Sequence, residues 1–501
     1  MMEQAWRDQF QAGYWSSEPA SWVPGLPAVS TEMSSCFQTL VQPSTSTSSS
    51  SGGQLQQELV EYAAAATPNY GSPIVVFEKS ARAFGDDIDM ILTKIHMYPR
   101  SIVDLDDRYT VPLTIAIGPY HHYRCHLQPA EKAKHLAAYR CIKLSRRPVQ
   151  ELYDAVVSVA HVVRLLYHKE AMAGIVDDDF WPMMFYDACF LVQYMLWYVD
   201  EDEMDTWLLS FFKSNQLDID NDILLLENQL PWPVVDTLVD LVRPGLVKEF
   251  IVCIRVGFQS TKEEFEGQDF AWDGYTPPHL LGLYRYYMVK GSGVYKPASA
   301  NKLKKLIGTS FTATKLAEMG VKITPSKTEG YMDLAVPTGP IHGKLCLPPM
   351  YLNETAAARL VNMAAFELCT NPDFFDDSGE DEYTYYQNSA VCSYLLLLAM
   401  FVEREEDVQE LRARDLLTTG DGVGLTNKEA LQFFTTVGKH LRKGPCYWDV
   451  MIKLSMYDKG RPVRVNAHKF FFNHWGKIVT VVTTIAGALG LFGTLVSLKK
   501  G

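Results

Sequence analysis

The chain has 501 residues, 47% of them hydrophobic, and a formal charge of −13. That is enough apolar material to bury a large core, and the acidity excludes a general nucleic-acid binder, which needs a basic face to displace counterions from phosphate. Nine cysteines occur singly, with no CxxC pair and an odd total, so neither a zinc ribbon nor a disulfide framework is indicated. Buried thiols in a reducing compartment are expected instead.

Residues 1–73 read as a disordered arm: the stretch ending in PSTSTSSSSGG at 43–53 is too polar to bury a core. A short helix at 55–66 is stopped by Thr67-Pro68, and the folded body, 74–476, starts near Ile74 or Asp86. Apolar residues then recur at helical spacing over 130–145, 149–167, 181–199, 223–242, 298–318, 356–370, 389–403 and 428–441. Strands are few, with 333–336 expected to pair with 344–347 across the Pro337-Thr338-Gly339-Pro340 turn. The acidic runs 177–179, 200–205 and 373–382 read as solvated loops. The fold class is therefore mainly α, one large helical domain with a few short strands.

The tail, 478–498 (IVTVVTTIAGALGLFGTLVSL), has no charged residue and lies between Lys477 and the pair Lys499-Lys500. Its length at about 1.5 Å per residue matches a hydrocarbon core, so 477–501 is expected to be a single transmembrane anchor with a short tail. Ala486, Gly490 and Thr494 form a small-residue stripe that could let two anchors pair as a homo-oligomer. No basic n-region and apolar run open the chain, and Arg461, Arg464, Lys469 and Lys477 precede the anchor, which places the body in the cytosol. The sequon Asn353-Glu354-Thr355 is a glycosylation candidate only for a body facing the lumen or the outside.

Several blocks carry a resemblance. Ile117-Gly118-Pro119-Tyr120-His121-His122, then Leu127-Gln128, Glu131 and Lys134, is similar to the "SIGPYHHG…LQ-ME-hK" opening of the plant domain of unknown function 247 family. DILLLENQL at 222–230 with Pro231, HLLGLY at 279–284, FTATKLAEMGVKI at 311–323, LCLPP at 345–349 and NMAAFELC at 362–369 resemble further family blocks in order and spacing. Departures are Ile95-His96-Met97-Tyr98-Pro99 for the usual "IYRVP", and Tyr123 where a glycine is expected. The family is named for lacking an assigned activity. Some of its grass members are regarded as male self-incompatibility determinants, so the resemblance implies recognition in pollen as one role.

His121, His122, Cys125 and His126 are dense enough to hold zinc, but their spacing matches no closed zinc pattern. A loop whose histidines cap backbone groups and stack on Tyr120 and Tyr123 is the preferred reading. Asp218-Ile219-Asp220-Asn221-Asp222 imitates a calcium loop, yet Ile223 and Gln229 stand where Gly and a bidentate Glu are required. The Gly-rich run 420–424 lacks a following Lys-Ser/Thr. Glu227, Asn228 and Gln229 ahead of Pro231 read as side chains that tie the next helix to neighbouring backbone. No catalytic residue and no cofactor is indicated. The expected function is a membrane-anchored, non-enzymatic interaction protein with a protein partner and no nucleic acid; the alternative is an enzyme with a site near the GPYHH motif.

Overall fold

The computed structural model describes residues 90–498 except 104, 201–203, 260–274, 291–310, 327–329, 333, 335–342, 376–381, 420–423 and 461. Side chains are given to residue 490, apart from 255–259, 382–383 and 463–464. The arm 1–73, its helix at 55–66, the body's start at 74–89, the glycines of 420–422 and most of the acidic run 373–382 lie outside the described residues.

The described chain is helical, with four short strands. After α1 (Arg100–Val103) and two 3-10 turns at Asp107–Tyr109 and Cys125–Ala130 come α2 (Glu131–Ser145), α3 (Val149–Val163), α4 (Asp177–Val199), α5 (Thr206–Ser214) and α6 (Gln216–Asp222). Then follow α7 (Trp232–Val242), α8 (Leu246–Gln259), α9 (Leu280–Val289), α10 (Ala313–Glu318), α11 (Glu354–Thr370), α12 (Glu382–Gln387) and α13 (Ala390–Phe401). The chain closes on α14 (Glu405–Arg412), α15 (Asn427–Val437), α16 (Pro445–Gly460) and α17 (Pro462–Leu498).

Two helices are buried on nearly every face. α4 packs against α2, α3, α7 and α8, and it buries Phe180, Met184, Phe190, Val192 and Tyr194. It needs no amphipathic stripe because neighbours cover all its sides. Its first turn is Asp177, Asp178 and Asp179, so that acidic run is not a loop; the carboxylates sit at the positive end of the helix dipole. α11 packs against α6, α9 and α13, and its alanines at 356–358 and 364–365 let those neighbours approach closely. One apolar core runs through both regions, from Ile95 to Val465.

Three further expectations are corrected. The helix expected over 223–242 begins only at Trp232, because 223–230 has its backbone groups taken by side chains that compete with a helical ladder. The strand at 344–347 belongs to β2 (Gly343–Leu347), which pairs in parallel with β1 (Val321–Pro325), Ile323 opposite Leu345. The hairpin is not seen among the described residues: Leu334 is not in a strand, and the rest of 333–336 and the 337–340 turn lie outside them. Gly320, at φ +74° after α10, turns the chain from helix into β1. β3 (Met350–Tyr351) and β4 (Leu417–Thr418) form a second parallel pair.

The third correction is the anchor. Among the described residues no helix is long and apolar enough to cross a membrane. The helix α17 carries Lys469, His474 and Lys477 in its first half, so much of its length is not apolar. The transmembrane segment and the membrane localisation built on it, with the body on the cytosolic side, are accordingly not supported. Thr494, the last member of the small-residue stripe, has its side chain outside the described set.

Candidate functional site

Two sequence blocks 100 residues apart meet in the core. The irregular segment 113–118 runs past the turn 222–230, and side chains of the turn bind its backbone as a neighbouring strand would. Asn228 is fully buried; its Oδ1 accepts the Ile117 N–H at 2.7 Å, and its Nδ2 donates to Ile115 O and Asp222 O, both at 2.9 Å. Asp222, closing α6, accepts the N–H groups of Leu113, Thr114 and Ile115 at 2.7–2.9 Å. Burial pushes its carboxyl up to about 7, and the three amides pull the other way. Gln229 donates to Ile223 O and Leu225 O at 2.8 Å and accepts Leu281 N–H at 3.0 Å, which ties the turn to the start of α9. Pro231 caps α7, where Trp232 N–H reaches Pro278 O at 2.8 Å.

Gly118 sits at the tightest point. Its φ is +74°, and a Cβ there would lie 2.8 Å from Gln229 O and 3.1 Å from the Tyr167 hydroxyl, so both backbone angle and space demand glycine. Its N–H donates to Asp187 Oδ2 at 2.8 Å. Asp187 Oδ1 in turn lies 2.7 Å from Lys134 Nζ, which is also 2.7 Å from Glu131 Oε1. Lys134 is wholly buried; desolvation draws its pKa down, but the charges of Asp187 and Glu131 outweigh that and hold the ammonium protonated. Tyr120 accepts the His168 N–H at 3.0 Å and donates to Ile95 O at 2.7 Å.

His121 is the exception in this network. It is 2% exposed, its Nε2 lies 3.8 Å from Glu227 Oε2, and neither ring nitrogen makes a hydrogen bond. Burial, with smaller contributions from Arg124 and His126, lowers its pKa to about 3, so the imidazole is neutral. Glu227 accepts the Tyr98 N–H at 2.7 Å on its other oxygen, and burial raises its carboxyl pKa. Nearby, Cys369 faces Met97 O at 3.6 Å, and burial, reinforced by the Glu227 charge, pushes its thiol up to about 12.

The remaining members of the His/Cys cluster point elsewhere. His122 packs edge-on against Tyr123, His126 Nε2 contacts Pro112 O at 3.0 Å, and Cys125 is exposed. Among the described residues no group of three His, Cys, Asp or Glu side chains converges to hold a metal. Asn353 accepts the Ala356 N–H at 2.8 Å and caps α11.

Sequence reading missed Asn362 and Glu367, although both fall in the NMAAFELC block. Asn362 Oδ1 receives the Tyr98 hydroxyl at 2.6 Å and the Leu226 N–H at 2.8 Å, while its Nδ2 donates to Tyr109 O and Ala358 O. Glu367 pairs with Arg285 at 2.6 Å and accepts Val391 and Cys392 N–H at the start of α13. An open groove of about 230 Å³, lined by Arg108, Tyr109, Glu429, Gln432 and Phe433, lies beside Tyr109.

Residues 95–489 match the family model DUF247, a plant protein of unknown function. The chain belongs to this family. Every member of the lattice from Tyr98 to Glu367 falls inside the DUF247 match. The UPF0481 protein At3g47200 of Arabidopsis thaliana is 26% identical over 376 residues, which is 69% of this chain and 72% of that protein. No solved structure matches.

Proposed function

We propose that this DUF247 protein is a non-enzymatic recognition protein whose helical body presents acidic surface segments to a protein partner, in the manner ascribed to the pollen determinants among grass members. The observation behind this reading is the occupancy of the motif side chains. Asp222, Asn228, Gln229 and Asn362 are buried and bound to backbone N–H or C=O groups, and Asp187 joins the Gly118 N–H to Lys134. Such groups position chain segments; they are not free to attack a substrate or move its protons.

One observation favours the alternative. His121 and Glu227 leave a neutral imidazole and a carboxylate 3.8 Å apart with no hydrogen bond between them, which is the makings of an acid/base pair.

The two readings separate in tissue. Proximity labelling with the wild-type chain, with a His121→Phe variant and with a variant neutralised across 200–205 and 373–382 is read beside metabolite profiles. Recognition expects a reproducible partner set that the acidic-run variant loses and His121→Phe keeps, with metabolites unchanged. A precursor that accumulates only in His121→Phe tissue would replace it with the enzymatic reading.

A further inference from the structure

The first half of α17 contacts the body through His468, whose ring lies against Gly320 and whose Nδ1 faces Glu318 O at 3.2 Å. Beyond it the helix presents an apolar face to solvent. Phe471, Trp475, Val482, Ile485 and Leu489 are 54–68% exposed, and Ile478 is half-buried. Their spacing is 4, 3, 4, 3, 4, the a/d repeat of a coiled-coil seam. In the sequence, Phe492 and Val496 continue the same register.

The flanks of that seam complete the pattern. The positions on either side of it are Phe472, His474, Val479, Val481, Ala486 and Ala488, all uncharged. The opposite face carries Phe470, then Asn473, Gly476, Lys477, Thr480, Thr483, Thr484 and Gly487, small or polar from 473 onward. Thr480 and Thr484 return their hydroxyls to Gly476 O and Thr480 O of their own helix, so that face asks for no partner. Both sides of this stretch are exposed among the described residues, and the large aliphatic and aromatic side chains concentrate on the seam and its flanks.

We propose that this face is an interface between two copies of the chain, joined by pairing of α17 along the 471–489 seam. Self-association fits because no charged residue borders the seam, so two copies set no like charges against each other. The area also suffices: a seam about 27 Å long with an aromatic at two of its layers removes on the order of 700 Å² per copy, close to the roughly 800 Å² per partner of a stable interface. The pairing does not rest on the identity of any outside partner.

The mass of the full chain in solution, measured by light scattering over a concentration series, tests the proposal. The wild type is expected at twice the 56.6 kDa of one chain. A seam variant, Val482→Lys with Ile485→Lys, is expected to weaken association by on the order of 100-fold. The matched outer-face variant, Thr480→Lys with Thr484→Lys, adds the same charge and should leave the dimer intact. Circular dichroism and melting of both variants verify that the body is folded. A monomeric wild type, a seam variant that stays dimeric, or an equal effect of the two lysine pairs would each overturn the assignment, the last by showing a non-specific apolar surface.

Discussion

Asn228 serves Ile117 as a strand neighbour would: the side-chain oxygen takes the Ile117 N–H at 2.7 Å while the amide nitrogen donates to Ile115 O at 2.9 Å, two residues back. One side chain thereby satisfies an irregular segment that has no sheet to join. A buried peptide group left unpaired costs about 1–3 kcal/mol. Because the third bond, to Asp222 O, holds the turn itself, the same residue fixes both partners of the contact.

Asn228→Ala should destabilise the protein by about 3 kcal/mol or more, since Ile117 N–H, Ile115 O and Asp222 O all lose a partner in a dry environment. Urea unfolding of the full chain reads this directly. A midpoint within error of wild type would show that water or a neighbour replaces the amide, and the strand-neighbour role would be wrong.

How much of this was legible in the sequence depends on range. The triplet Glu227-Asn228-Gln229 between an apolar run and Pro231 reads as backbone-binding because amides in an apolar setting need partners. Which backbone they bind, Ile115 and Ile117 more than a hundred residues away, is decided by tertiary packing that no local pattern encodes. Residues 223–230 read as helical because apolar residues there fit the 3.6 period, and the competing side-chain bonds that unwind them are visible only in three dimensions. Asn362 and Glu367 gave no signal, since one polar residue on each turn of a buried helix looks like ordinary solvent-facing spacing.

Gly118→Ala should cost more than Gly174→Ala, although both glycines have positive φ. At Gly174, φ +89°, nothing lies within 4 Å of the added carbon, so only the backbone preference is lost, about 1 kcal/mol. At Gly118 the Cβ would press on Gln229 O at 2.8 Å, and the strain adds to that preference, for about 2–3 kcal/mol in all. Equal thermal midpoints for the two variants would mean that 118 and 229 move apart freely.

His279 gives the fold an acid-sensitive point. It is fully buried, its Nδ1 accepts the Gly282 N–H at 3.2 Å to cap α9, and burial lowers its pKa to about 3. Unfolded, the imidazole takes a proton below about 6.5, whereas folded it stays neutral until about 3. The stability it contributes is thus fully present above pH 6.5 and falls as pH drops towards 3, by about 1.4 kcal/mol per pH unit. His279→Asn keeps a capping side chain and removes the titration. Denaturant unfolding of both proteins between pH 7 and pH 5 should show the wild type losing stability relative to the variant; parallel curves would place the ring in contact with solvent.

Lys134 and Glu131 share one ion-pair chain but should not be equally important. Lys134→Met leaves the Asp187 carboxylate buried without its cation, and Asp187 is what receives the Gly118 N–H, so the GPYHH turn loses its support at the same time. Breaking such a pair from one side costs about 3–5 kcal/mol. Glu131 binds the same ammonium but keeps a quarter of its side chain in water, so Glu131→Gln removes a partly screened charge and retains an acceptor for the ammonium. Its cost should stay near about 1 kcal/mol. Unfolding free energies of the two variants decide the order. If Glu131→Gln proved as damaging as Lys134→Met, the Glu131 charge would be what makes burying the lysine possible, and the chain would be anchored from its surface end.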